Sequence, residues 1–119
     1  MNKINENIYI GETNKQLKDL TNIGTTTLFK QRTYTTGWNN EGIINSNTKY
    51  LYILLKGSDD YVGIMVPMPV AKTFTTAAPY FIKNKNNLIY QFGFNGDYFW
   101  GLFRSEAGQG YTVYIYEIK

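Results

Sequence analysis

Short runs of Val, Ile, Tyr, Phe, Trp and Thr, each broken by Gly, Asn, Asp or Pro, recur along most of this chain. That rhythm limits the possible folds more than any other feature. β-Branched and aromatic side chains suit a pleated, half-buried surface, and the breakers supply the turns. Residues 25–35 form a Thr-rich, loosely alternating run. Tyr50-Leu51-Tyr52-Ile53-Leu54-Leu55 is nearly continuous in apolar residues, which predicts a central strand buried on both faces. Gly57-Ser58-Asp59-Asp60 reads as a tight turn into residues 61–66, so the two runs predict a hairpin. Pro67 and Pro69 should end that strand or place it on an edge. Tyr80-Phe81-Ile82 is a short strand closed by a turn over residues 83–87. Asn95-Gly96 is a favoured two-residue hairpin turn between the runs 88–94 and 97–103. Residues 111–118 make a long terminal strand, while residues 38–42 read as a loop and 73–79 as an irregular linker. The expected fold is all-β: an antiparallel β-sandwich or jelly roll of about seven or eight strands.

One stretch departs from the rhythm. Residues 12–20 hold good helix formers without Gly or Pro, and Leu17 and Leu20 stand on one helical face. Gly24 suits the end of such a helix. The expected organisation is an N-terminal segment with a short helix over residues 1–22, then the β-sandwich over residues 23–119.

Composition narrows the function. The chain has 11 Tyr, 7 Phe and 2 Trp but no His and no Cys. Triads built on Ser/His/Asp or Cys/His are therefore impossible, and zinc sites of the usual types lose their main ligands. The remaining catalytic option is a carboxylate pair of the glycosidase kind. Its candidates are Glu41, Asp59, Asp60, Asp97, Glu106 and Glu117. Adjacent Asp59 and Asp60 fit ordinary turn chemistry, as does Asp97 after Asn-Gly. The expectation is a protein that is not an enzyme. Asp59 and Asp60 could lend oxygen ligands to calcium, but no calcium-loop spacing is present. No metal and no cofactor is expected.

Net charge is +3, from 12 Lys+Arg against 9 Asp+Glu, and the basic residues are scattered. A nucleic-acid binder would carry a denser basic stripe, so none is expected as partner. The first residues are polar and no apolar h-region follows, so no signal peptide is read. The longest apolar stretch, residues 64–71, falls far short of the ~20 residues a membrane span needs.

Sugar binding is the sharper site hypothesis. An aromatic face stacks on the apolar side of a sugar ring while fixed polar groups meet its hydroxyls. Two clusters have this composition: Trp38-Asn39-Asn40-Glu41, and Asn95-Gly96-Asp97-Tyr98 with Trp100 and Arg104. Trp38 stands among Asn residues in a predicted loop, where packing gives no reason for it. Trp100 sits inside a strand run, where core burial competes with ligand contact. Tyr50, Tyr52, Tyr114 and Tyr116 alternate along strands and fit inter-strand or inter-subunit faces better than a pocket.

The Thr-rich early strand, the Trp38 loop, Lys49 to Leu55, the acidic turn, Ile64-Met65-Val66-Pro67 and the final Val113-Tyr114-Ile115-Tyr116-Glu117-Ile118-Lys119 together resemble the C-terminal β-sandwich heads of bacteriophage tail-fibre and receptor-binding proteins. The likeness covers roughly residues 23–119 and consists of short, degenerate pieces. It implies a virion protein of the tail or surface, made in the host cytoplasm without a signal peptide. It further implies a homo-oligomer, commonly a trimer, that meets other virion proteins and binds a host cell-wall saccharide. The Asn- and Lys-rich composition fits an AT-rich Gram-positive host or its phage. No invariant binding motif carries over, so the likeness assigns no site residue. Tail fibres usually place a long stalk before the head, whereas only about twenty residues precede this β body. Two other classes stay open: a structural virion or assembly protein without glycan affinity, and a glycan-processing enzyme with a carboxylate pair.

Overall fold

A computed structural model describes residues 25–85, 87–104 and 106–119. The predicted helix around Leu17 and Leu20 lies outside the described residues. The described chain forms β1 (Thr26–Thr33), β2 (Asn39–Ile43), β3 (Tyr50–Lys56), β4 (Tyr61–Pro67), the short helix α1 (Met68–Ala71), β5 (Tyr80–Asn84), β6 (Asn87–Asn95), β7 (Tyr98–Phe103) and β8 (Thr112–Ile118). Two four-stranded antiparallel sheets pack together, with strand orders β1-β8-β3-β4 and β2-β7-β6-β5. The fold is thus an all-β sandwich of eight strands. Among the described residues no helix is long and apolar enough to cross a membrane.

The two sheets bring different chemistry to the core. The first contributes aliphatic side chains, chiefly Leu51, Ile53, Leu55, Val113 and Ile115, all fully buried. The second contributes the rings of Tyr90, Phe92, Phe94, Phe99 and Phe103. These rings interlock: Phe92 stacks on Phe99 at 5.1 Å and on Tyr80 at 5.3 Å, and Phe94 meets Phe99 edge-on at 5.5 Å. Each fully buried ring or aliphatic side chain contributes roughly 1.5–3 kcal/mol.

β3 corrects one expectation. It is central, between β8 and β4, yet only Leu51, Ile53 and Leu55 are buried. Tyr52 and Leu54 point to the outer face and stay half-exposed. The run is continuous in apolar residues because both faces are apolar, although only one is covered. β4 ends at Pro67 on the sheet edge, where a missing N–H costs no ladder bond.

Residues 38–42 are a second correction, since Asn39–Ile43 is an edge strand paired with β7. The register shifts between Asn40 and Gly42, so Glu41 is the extra residue of a bulge and is buried. Its carboxylate takes two bonds from Arg32 of β1, at 2.7 and 2.8 Å, and so ties the two sheets together. That bond chiefly raises the Arg32 pKa; desolvation opposes it and the Glu41 charge adds to it.

Candidate functional site

The β6–β7 turn begins one residue later than the Asn-Gly pair suggests. Asn95 still pairs with Tyr98 across the ladder, which leaves Gly96 and Asp97 as the central turn residues. Gly96 has φ +64° and Asp97 has no positive φ, the pattern of a type II′ turn. The slip keeps Asn95 in the strand and exposes it.

On the outer face of the second sheet, Trp38 and Trp100 line one shallow depression of about 300 Å³ together with Thr76, Ala77 and Asn95. Three local causes assemble it. First, pairing of β2 with β7 sets Asn40 opposite Trp100, which carries the preceding Trp38 to the same region. Second, the Asn39 amide donates to Thr35 Oγ1 at 2.5 Å and to the Gly37 carbonyl at 3.4 Å, bracing the loop that bears Trp38. Third, residues 75 and 76 cross directly over Gly93. A Cβ at Gly93 would lie 2.2 Å from the Thr75 carbonyl group, so only glycine admits this wall. The Phe94 N–H donates to the Phe74 carbonyl at 2.8 Å and fixes the crossing.

The two sequence clusters therefore meet through Trp38 of the first and Asn95 and Trp100 of the second, while the other predicted residues disperse. Asn39 braces its own loop, and the Asn40 Oδ1 accepts the Gly42 N–H at 3.0 Å within the bulge. Tyr98 is exposed beside its ladder partner Ile43. Arg104 lies four residues beyond Trp100, some ~13 Å along an extended strand, and its backbone N–H donates to the Ile89 carbonyl. Asp97 pairs with Lys72 at 3.5 Å. It borders a larger hollow of about 730 Å³ at the end of the sandwich, walled mainly by Ile43, Ile44, Pro67, Met68 and Pro69. That hollow is the larger one, but its walls offer a single aromatic residue, Tyr50. The smaller depression has two indoles beside an amide and a hydroxyl, the composition that sugar stacking needs.

Thr76 and Ala77 were not singled out from the sequence, whereas Asn95 stands in the second cluster. One signal could have pointed to Thr76 and Ala77: a glycine inside a strand run often marks close approach of another backbone.

Four of the six candidate carboxylates, Glu41, Asp60, Asp97 and Glu117, are engaged one by one. Glu41 holds Arg32, and Glu117 accepts the Asn45 N–H at 2.7 Å with Lys119 at 3.5 Å. Asp60 accepts the Tyr111 hydroxyl at 2.9 Å and the Asn84 amide, which joins the β3–β4 turn to the β5–β6 hairpin. Among the described residues no three of His, Cys, Asp and Glu gather as a metal site would require. Comparison with protein-family models, with curated proteins and with solved structures returns no match.

Proposed function

We propose that this chain is a non-enzymatic saccharide-binding head of a phage or prophage virion, acting at the host cell wall as part of a homo-oligomer. One observation carries the reading: Trp38 and Trp100 share one depression with Asn95, though they lie far apart in sequence. Both tryptophans of the chain are there. A sugar ring laid on either indole would find the Asn95 amide and the Thr76 hydroxyl at its edge. The resemblance to tail-fibre heads supports the virion setting and the trimer, and assigns no residue.

The same placement makes the test direct, because intrinsic tryptophan fluorescence reports this depression alone. Soluble cell-wall polysaccharide fragments from Gram-positive bacteria are titrated against the chain. The expected result is a saturable change in emission, with affinity weakened about tenfold, or ~1.4 kcal/mol, in Trp38→Ala and in Trp100→Ala. Binding that neither substitution weakens would remove the stacking site.

A purely structural virion role is the second reading. The aromatic outer face of the first sheet favours it, since such a face fits contact with protein. Its mark is absence of affinity for every fragment, together with incorporation into particles.

A further inference from the structure

The outer face of the first sheet departs from the usual economy of an antiparallel sheet, in which a solvated face is polar. Tyr52 and Leu54 of β3, Tyr114, Tyr116 and Ile118 of β8, and Met65 of β4 all project there, as the ladder register requires. Met65 is 54% exposed, and the others remain half-buried with nothing described lying over them. Tyr52 and Tyr116 face each other across the ladder with ring centroids 6.3 Å apart. Lys56, at the far end of β3, is the one charged residue that the β3, β4 and β8 strands present on this side.

We infer that this face is where a second copy of the chain docks. Charge and area argue for a copy. The centre of the face carries no charge, so two such faces can meet without opposing like charges, whereas a basic or acidic partner would find nothing to pair with. Its composition, Tyr and Met with almost no Lys, Asp or Glu, matches the buried centres of protein interfaces. Four strands spaced ~4.8 Å and about seven residues long at ~3.4 Å each give a footprint of roughly 19 by 24 Å. That is about 460 Å² per partner, or about 900 Å² for two copies, the size class of weak, reversible association. Stacked sheets pack ~10 Å apart, and the inner face of this same sheet already packs on an equal footprint. The Trp38/Trp100 depression lies on the opposite sheet, so the docked copies keep their depressions outward. The inference does not rest on the saccharide reading.

The experiment is mass in solution, by sedimentation or light scattering, of the full chain at ~100 μM and on dilution. Wild type is expected at two or three chain masses. Tyr116→Glu and Met65→Lys are expected to weaken association at least ~100-fold and to yield monomers with unchanged far-ultraviolet circular dichroism. Phe81→Glu alters an exposed residue of the other sheet and should leave the mass unchanged. Two variants guard against misfolding of one, since Met65 sits on the edge strand. A wild-type monomer overturns the inference and gives the face to residues 1–24 or to a different protein. An oligomer that survives both substitutions overturns it equally. Tryptophan titration of the monomeric variants separates this outcome from the saccharide reading, because the depression is intact in them.

Discussion

Tyr90 is fully buried, and its hydroxyl has no hydrogen-bond partner. The oxygen fits only because Gly101 opposite it lacks a side chain; a Cβ there would lie 1.7 Å away. Burial raises the Tyr90 pKa most, the Glu41 charge adds to this, and Arg32 offsets part of it. The sign for stability follows. Tyrosine in the unfolded chain ionises near pH 10, while the folded group stays neutral well above that. Its contribution is therefore whole below about pH 10 and is lost as pH rises beyond it. Tyr90→Phe removes an unpaired buried hydroxyl and is expected to stabilise by about 1 kcal/mol. Its denaturation midpoint should also fall less than that of wild type between about pH 7 and pH 11. A variant less stable than wild type at neutral pH would mean that the hydroxyl is paired. The neighbouring Glu41→Gln removes the charge that holds Arg32. Arg32 keeps 28% of its side chain exposed and can rehydrate. The loss should thus fall near 1–3 kcal/mol, below the 3–5 of a wholly buried pair, as read from urea midpoints.

At the scale of elements, the wall of the depression depends on a residue that lines none of it. Gly93 lies under the crossing of residues 75 and 76. Gly93→Val must push that backbone away, at a cost of about 1–3 kcal/mol for overpacking. Thr76 and Ala77 move with it, so the tryptophan emission of the unliganded protein should shift and fragment affinity should fall. A stable variant with unchanged emission would count against this account of the wall. The same elements show what could be read from the chain. The hairpins β3–β4 and β6–β7, the edge position of β4 and the terminal strand were legible, because each rests on local turn chemistry and apolar runs. β2 was not, since Asn39-Asn40-Glu41-Gly42 has no strand preference of its own and is held extended by β7. The β6–β7 turn slid by one residue because ladder pairing of Asn95 with Tyr98 overrides the local preference of Asn-Gly. Trp38 was legible as an unusual loop aromatic. Its approach to Trp100 was not, because only the pairing of β2 with β7 creates it.

At the scale of the molecule, the order β1-β8-β3-β4 makes the last strand an interior one. β8 is hydrogen-bonded on one side to β1 and on the other to β3. It also buries Val113 and Ile115, and its Glu117 holds the β2–β3 connection through the Asn45 N–H. The first sheet therefore cannot close until nearly the whole chain is available. Contacts of such long sequence separation slow folding toward the millisecond-to-second range. Removing residues 112–119 would separate β1 from β3, open two unpaired edges and uncover Leu51, Ile53 and Leu55. Burial of those three side chains alone is worth roughly 1.5–3 kcal/mol each, which compares with the whole 5–15 kcal/mol stability of a small domain. The truncated chain is therefore expected to lose cooperative thermal unfolding and near-ultraviolet circular dichroism. Ile115→Ala, which leaves the backbone ladder intact, should unfold cooperatively at a midpoint lower by the ~2–5 kcal/mol of a core truncation. A truncated chain that still melted in one sharp transition would show that the second sheet, with its interlocked rings, holds a native core without the first.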